Sequence, residues 1–454
     1  ERVDIWNKVL ENSQDEYQII VGARSSIFLP FSNLGLVIVD EEHETSYKQQ
    51  DPSPRYNGRD AALYLASLFK AKVLLGSATP SLESYHNAQQ GKYGLVNLTT
   101  RYQGVELPTI NLCNVKNERS TRFELSHIST QLFQEIEACL ENKQQVILFQ
   151  NRRGYSPFWM CSLCSWIPKC HQCDVTLTYH KSSNHLKCHY CGYHTQPLGS
   201  CKACGSDRLE MHGFGTQKIE DEIEKLFPKA KVGRMDLDAT RSKNAYANLI
   251  QQFENREIDI LIGTQMLSKG LDFDNVFLVG VLDADFMLNL PDFRAYERAF
   301  QMLTQVSGRA GRKQSGGKVI VQTKQPEHWI LSLVLNHNHK EFLNYELIER
   351  NNFHYPPFAK LINLTLSHLD ENLLNEGAEA LGNLLRHAFD HRVIGPEFPI
   401  IRRVQNRYLK TIKLKYEKSI SDKKIKERLL TLLDSYNQHV RYKSIRISID
   451  VDPY

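Results

Sequence analysis

Short, continuously apolar segments recur along the first three-quarters of the chain, separated by stretches in which apolar residues return every three or four positions. Segments 17–21 (YQIIV), 34–39 (LGLVIV) and 72–75 (KVLL) read as buried strands. Each runs into turn chemistry: Gly22-Ala23-Arg24, Asp40-Glu41-Glu42-His43 and Gly76-Ser77-Ala78-Thr79-Pro80, with a helix over 59–69 between the last two strands. A second series begins near residue 123, with a helix over 126–142 and a strand over 145–149. After an interruption it resumes as helix 216–227, strand 232–235, helix 241–254, strands 258–262 and 276–282, a helix from about 293, strand 318–322 and helix 327–336. Apolar strands alternating with amphipathic helices predict parallel sheets covered on both faces. From about residue 351 the pattern changes. After Tyr355-Pro356-Pro357-Phe358 the order is strand 360–366, helix 371–390, a strand pair around 400–416, helix 421–436 and strand 443–451, which predicts an α+β ferredoxin-like domain.

Composition sets bounds on this picture. A chain of 454 residues exceeds one core and implies three or four domains. Its 41% hydrophobic and 24% charged residues are ordinary for a soluble globular protein, and no apolar run approaches the roughly 20 residues of a membrane helix. The net charge is only +4, so affinity for nucleic acid has to come from local patches. The chain opens on Glu1, in helical character, and is expected to be a piece of something longer.

The interruption holds eight of the ten cysteines, in four C-x-x-C pairs: Cys161/Cys164, Cys170/Cys173, Cys188/Cys191 and Cys201/Cys204. Two such turns complete a tetrahedral Cys₄ shell, so eight thiolates predict two structural zinc ions. The 14 residues between Cys173 and Cys188 read as a hairpin, which pairs the inner two turns and leaves the outer two for each other. The expected sets are Cys170, Cys173, Cys188 and Cys191 on one ion and Cys161, Cys164, Cys201 and Cys204 on the other. His171, His185, His189 and His194 lie close enough to compete, and a disulfide cluster is the alternative in an oxidising compartment. A closed thiolate shell has no open position for water, so the insert is expected to be a rigid arm and not a catalytic zinc site.

Adjacent acids at a rigid strand end have a specific use: Asp40 can hold Mg²⁺ through its water shell, and Glu41 can deprotonate the water that attacks a γ-phosphate. Arg309 and Arg312 stand three apart and share a face if the helix continues through them, where their guanidinium groups could stabilise transferring phosphate.

Together, Asp40-Glu41-Glu42-His43, Gly76-Ser77-Ala78-Thr79, the block from Gly263 to Asp272 and Gln305-x-x-Gly308-Arg309-x-x-Arg312 resemble motifs II, III, V and VI of superfamily 2 helicases. With the eight-cysteine insert, nearly the whole chain resembles the bacterial primosomal protein N′ (PriA) family of replication-restart helicases. That resemblance implies two RecA-like α/β lobes, the first truncated (1–110) and the second split (111–160 and 209–350). It also implies a zinc insertion (161–208) and a ferredoxin-like DNA-binding domain (351–454). It places Gln305 beside the attacking water or the arginines, and Gly270 and Asp272 at the nucleotide. Ser77 and Thr79 would couple hydrolysis to lobe movement, and Thr264 and Gln265 would meet DNA. Tyr47, Lys48, Arg55 and Tyr56 are similar to an aromatic-rich loop that senses single-stranded DNA, with Arg59 a further phosphate contact; tyrosine faces stack on bases and cations address phosphates.

The implied cofactors are ATP with Mg²⁺, and the implied partners are forked and single-stranded DNA, primosome proteins and single-strand-binding protein. The protein would act as a cytoplasmic monomer. One departure stands out: the chain contains no Gly-x-x-x-x-Gly-Lys-[Ser/Thr] phosphate loop, so this piece alone is expected not to hydrolyse ATP. The alternative function is a non-catalytic, zinc-stabilised scaffold that recruits replication proteins. Finally, seven cations between Arg402 and Lys418, Arg407 and Lys410 among them, face one acid, Glu417, and predict a phosphate-tracking strand with charge on both faces, against a solvated edge strand.

Overall fold

Six parallel strands form the largest sheet in the computed structural model, in the spatial order Val232–Met235, Ile260–Gly263, Gln145–Phe149, Val276–Val281, Lys318–Thr323, Thr109–Asn114. The structure describes every residue except 1, 12–16, 99, 101–103, 117–126, 151–157, 165, 174, 181–183, 189, 213–215, 237–239, 241–242, 268–272, 291, 312–315 and 454. Alternate side chains of each strand enter separate cores. Ile147, Phe149, Val279 and Val319 join Phe253, Phe300 and Leu303, whereas Val146, Leu148, Leu278 and Ile320 join Leu132, Ile136, Ile219 and Ile223. Helices Lys243–Glu254 and Ala295–Ser307 therefore cover one face, and helices Thr130–Glu141 and Thr216–Leu226 the other. This two-sided burial is why the central strands are apolar at nearly every position.

Several elements lie outside the periodicity-based reading, helix Leu82–Gln89 among them. Strand Thr109–Asn114 buries Ile110 and Cys113, three apart, and finds its partner, Lys318–Thr323, some two hundred positions away. Helix His339–Asn352 buries Phe342, Leu343 and Leu347 and is capped by Asn338. Conversely, the strand expected at 17–21 does not form. Leu36–Val39 pairs with Lys72–Leu75 alone, and residues 17–21 find no ladder partner among the described residues, so Ile19 and Val21 remain 85% and 93% exposed.

The cysteine-rich insertion leaves and rejoins the second lobe through the antiparallel pair Phe158–Cys161 and Leu209–His212, which brings its ends together. Beyond it, the C-terminal sheet has the order Val393–Glu397, Arg407–Glu417, Ala359–His368, Arg446–Val451, all antiparallel. Helices Glu371–Phe389 and Asp422–Gln438 pack on one face, as a ferredoxin-like β-α-β-β-α-β order requires.

Where this domain meets the second lobe, Phe293 stacks on Tyr355 at 4.5 Å, and Lys415 donates to Phe353 O at 2.6 Å. A cavity of about 280 Å³ beside them is lined in part by Glu346, which is 3% exposed. Burial pushes the Glu346 carboxyl from 4.5 up to about 7, against the attraction of Arg350. As pH rises past 4.5 the unfolded chain gives up this proton while the folded chain holds it until about 7, so the native state loses stability across that window. Glu346→Gln removes the effect. In denaturant unfolding, the variant's stability relative to the parent is expected to be about 3 kcal/mol better at pH 8 than at pH 4.5.

Candidate active site and metal centres

The strand Leu36–Val39 ends in Asp40, whose carboxylate accepts the Glu41 amide at 2.9 Å; Glu41 itself has a positive φ of 46°. That backbone turn separates the four residues of the box. The Glu41 side chain is 42% exposed, whereas Glu42 and His43 are 2% and 5% exposed.

Glu42, given no role by sequence reasoning, is a buried tie. It accepts from Arg59 Nη1 (2.9 Å), the Ser81 amide (2.6 Å), Ser81 Oγ (2.9 Å) and Ser84 Oγ (2.8 Å), fastening the acidic strand end to the N-terminus of helix Leu82–Gln89. Arg59 is thus a structural cation and not a phosphate contact.

His43 links three motifs. Its Nδ1 lies 2.7 Å from Ser77 Oγ, and its Nε2 lies 2.8 Å from Gln305 Nε2. The same Gln305 nitrogen reaches Glu41 Oε2 at 3.4 Å, and because a carboxylate only accepts, this orients the amide with its N–H groups toward Glu41 and His43. His43 Nε2 must then accept, which places the imidazole proton on Nδ1, where it is donated to Ser77 Oγ. Ser77 Oγ also takes the Thr79 amide at 2.9 Å, and Thr79 O accepts from Gln301 Nε2 at 3.3 Å. Asp40, Glu41, Ser77, Thr79 and Gln305 therefore converge, with His43 and Gln301 as the connectors that sequence reasoning missed. His43 was visible in the acidic box; nothing local marked Gln301.

The expected helix through both arginines does not form. Ala295–Ser307 ends at Gly308, and the Gly311 amide bonds to Val276 O at 2.9 Å, turning the chain toward the sheet. Arg309 lies in this turn, 5% exposed; Arg312, Gly270 and Asp272 fall outside the described residues. Thr264 and Gln265 follow the strand Ile260–Gly263, half-buried.

A second buried cluster crosses from the first lobe to the second. Glu297 Oε1 accepts the Leu82 amide at 3.0 Å, and its Oε2 accepts from Arg294 (3.3 Å) and Arg350 (3.0 Å). Arg294 also meets Glu83 at 2.6 Å, and although burial opposes ionisation, this guanidinium holds Glu83 down to about 2.

The aromatic-rich loop is anchored at its base. Lys48 bridges to Asn57, and Tyr47 Oη donates to Asp40 O at 2.7 Å; burial, then Asp40 and other nearby acids, push this phenol up. Lys48 is the correction here. Its ammonium pairs with Asp450 at 2.9 Å and donates to Val451 O at 2.6 Å, so a C-terminal strand occupies the charge assigned to DNA. Arg55 lies 4.0 Å from Asp450, and Tyr56 packs edge-on against Phe28. The basic strand is corrected too. Arg407–Glu417 is paired on both sides, and its inward face carries Lys410, Ile412, Leu414 and Tyr416. Lys410 is 9% exposed with Nζ 4.4 Å above Phe398, because a central strand points alternate residues into the core. Arg407 remains half-buried near the turn.

Both cysteine sets form as nested pairs. In each, four Sγ atoms lie within 4.8 Å of one another. Cys161–Cys204, Cys164–Cys201 and Cys170–Cys191 are each 3.6 Å apart, far from a disulfide bond and near the ~3.8 Å edge of a tetrahedron with Zn–S of about 2.3 Å. Gly192 and Gly205, each following the second cysteine of a turn, sit at φ +77°, which lets the Cys188 and Cys201 carbonyls take the glycine amides. The donor set, its geometry and its closed shell fit structural zinc.

Family descriptions match three stretches: the PriA DNA helicase Cys-rich region domain over residues 170–196, the helicase conserved C-terminal domain over 212–314, and the primosomal protein N C-terminal domain over 351–454. The chain is 41% identical over 456 residues to replication restart protein PriA of Bacillus subtilis (strain 168), a match that covers 100% of this chain and 56% of the relative. To the protein of that name in Rickettsia felis it is 39% identical over 461 residues, covering 99% and 69%. It therefore spans little more than half of the first relative's length and about two-thirds of the second's.

Proposed function

The chain belongs to the PriA family of replication restart proteins, and from that membership we propose that the whole protein is an ATP-driven, DNA-stimulated 3′-to-5′ helicase that recognises stalled or repaired forks and begins primosome assembly. The observation that carries the reading is Gln305, on the second lobe, meeting Glu41 and His43 of the first. Scaffold duty alone would not call for a carboxylate held half-exposed at a strand end and touched by a glutamine from the opposite lobe.

ATP with Mg²⁺ supplies the transferable phosphoryl group. Asp40 would hold the metal's water shell, and Glu41 would take the proton from the attacking water. Gln305 would orient that water, Arg309 and Arg312 would offset charge on the phosphates, and Gly270 and Asp272 would meet the nucleotide. His43, donating to Ser77 and accepting from Gln305, supports a coupling role for Ser77 and Thr79: a shift of Gln305 alters a hydrogen bond that the Ser77 loop shares. DNA contacts fall to Tyr47, Arg55, Tyr56, Thr264, Gln265 and Arg407, with forked and single-stranded DNA as substrates. The zinc arm would act as a wedge, or as a dock for primosome proteins and single-strand-binding protein, on a cytoplasmic monomer. Among the described residues no helix is long and apolar enough to cross a membrane.

The test compares the full-length protein with its Glu41→Gln variant on a forked duplex. DNA-stimulated hydrolysis and unwinding are expected to fall about 10²-fold or more while fork binding persists. Hydrolysis unchanged by the substitution would overturn the assignment.

A further inference from the structure

A residue from another domain donates to a sulfur of the inner cysteine set. In the C-terminal sheet, Arg403–Val404 turns back onto Arg407–Glu417 through Gln405 and Asn406, whose φ angles of +50° and +60° define a tight two-residue hairpin. That turn seats on the ribbon. The Gln405 amide lies 3.1 Å from Cys173 Sγ, the Asn406 amide donates to Gln172 O at 2.7 Å, and Gln405 Nε2 donates to Tyr190 O at 3.3 Å. Gln172 lies within the first C-x-x-C turn of the inner set and Tyr190 within the second, so the hairpin grips both halves of the site. Val404 adds apolar contact with the cluster of Cys170, Cys173, Leu177, Leu186 and Cys188.

Other amide-to-sulfur bonds at these sites, among the described residues, come from within or just beyond the same turn. Gln172 donates to Cys170 Sγ and Ala203 to Cys201 Sγ, each at 3.4 Å and each from two positions along the same turn. Cys173 instead receives its donor from 232 positions away. Among the described residues, no hydrogen bond from the C-terminal domain reaches the outer set. Four thiolates around a divalent ion carry excess negative charge, and N–H donors to the sulfurs offset it; outer-shell partners of this kind change metal affinity by about 10–100-fold. Coupling of this sort is reciprocal.

We propose that the inner zinc site is the socket in which the C-terminal domain docks, with Gln405 a positioning residue of that metal site, so that loading this ion and seating the domain favour each other. The ribbon is then an arm fixed to the C-terminal domain while the inner zinc is present, and freed from it when that zinc is lost. The inference rests on the structural zinc reading, and the outer ion serves as its internal reference.

The experiment follows release of the two zincs from the chain to a chromophoric chelator, after metal analysis has established two per chain. Gln405→Pro deletes the amide hydrogen and, because proline fixes φ near about −65°, also breaks the +50° turn that seats the hairpin, whereas Gln405→Gly keeps both the amide and the turn and loses only the side-chain contact to Tyr190. Release of one zinc is expected to accelerate 10–100-fold in the proline variant, with the other unchanged and the glycine variant close to the parent. In the cobalt-substituted protein, the thiolate-to-metal absorption of one site is expected to shift with proline and not with glycine. A second measurement uses the unaltered sequence: extracting the inner zinc should abolish hydrogen-exchange protection at the amides of Gln405 and Asn406, which donate to the ribbon, while Ala359–His368 stays protected. Equal release from parent and Gln405→Pro, acceleration of both zincs together, or protection at the Gln405 and Asn406 amides that survives loss of the inner zinc would each overturn the proposal.

Discussion

Cys188→Ser is expected to lower bound zinc from two ions per chain to one and to unfold the inner half of the ribbon. Cys188 is fully buried, and it belongs to the set with Cys170, Cys173 and Cys191. A serine hydroxyl stays protonated at neutral pH and cannot replace a thiolate. Apparent binding free energies of structural zinc are about 10–16 kcal/mol at pH 7, and in so small a module that energy is folding energy. The apolar support for the inner site is little more than Leu177 and Leu186 with a few partly buried neighbours, too little to hold the hairpin Thr178–His180/His185–Lys187 unaided. Metal analysis should return one zinc, and limited proteolysis should open cleavage within 170–196 while the six-stranded lobe stays resistant. Cys139→Ser gives the contrast. Cys139 packs against the lobe sheet, where burial pushes its thiol up to about 12, so its replacement should leave both zincs in place. Two zincs retained by Cys188→Ser would overturn the assignment of that set.

Glu297→Gln is expected to destabilise the junction of the two lobes by about 3–5 kcal/mol, the usual consequence of removing one partner from a buried ion-pair network. Glu297 is 3% exposed and receives the Leu82 amide from the first lobe, Arg294 beside its own helix, and Arg350 from helix His339–Asn352. The glutamine keeps one acceptor oxygen but presents an NH₂ group and no charge to guanidinium groups that are 5% and 2% exposed. Glu83 partly holds Arg294, and Pro356 O and Glu346 partly hold Arg350, so the loss is not that of a lone charge. Denaturant unfolding should resolve the difference. Lys423→Ala is the reference: Lys423 is 84% exposed and 3.9 Å from Glu427, so its loss should change stability by less than about 0.5 kcal/mol. An effect of Glu297→Gln no larger than this would show that the network does not hold the lobes.

The zinc ligands and their nested pairing were legible because the information is local: thiolate spacing and a hairpin-length gap decide which turns can share an ion. The acidic box and Gly-Ser-Ala-Thr were legible for a related reason, since apolar strands place whatever follows them at a sheet end. The basic strand failed on the same principle. Alternation correctly put Lys410 with Ile412, but only the partners on each side, Ala359–His368 and Val393–Glu397, decide that this face is the core. Lys48 failed because the group that takes its charge, Asp450, lies four hundred positions along the chain.

By itself, then, the amino-acid order determined the strands that run into motifs, the thiolate sets and the ferredoxin-like succession, because each depends on neighbours within one element or one turn. Tertiary structure alone decided that His43 relays between Ser77 and Gln305, that Glu42 and Glu297 are ties, that Lys48 and Lys410 are enclosed, and that Gln405 reaches Cys173. The physical reason is that a polar group's role depends on what meets it after burial. Desolvation makes that partner indispensable, and chain proximity does not supply it.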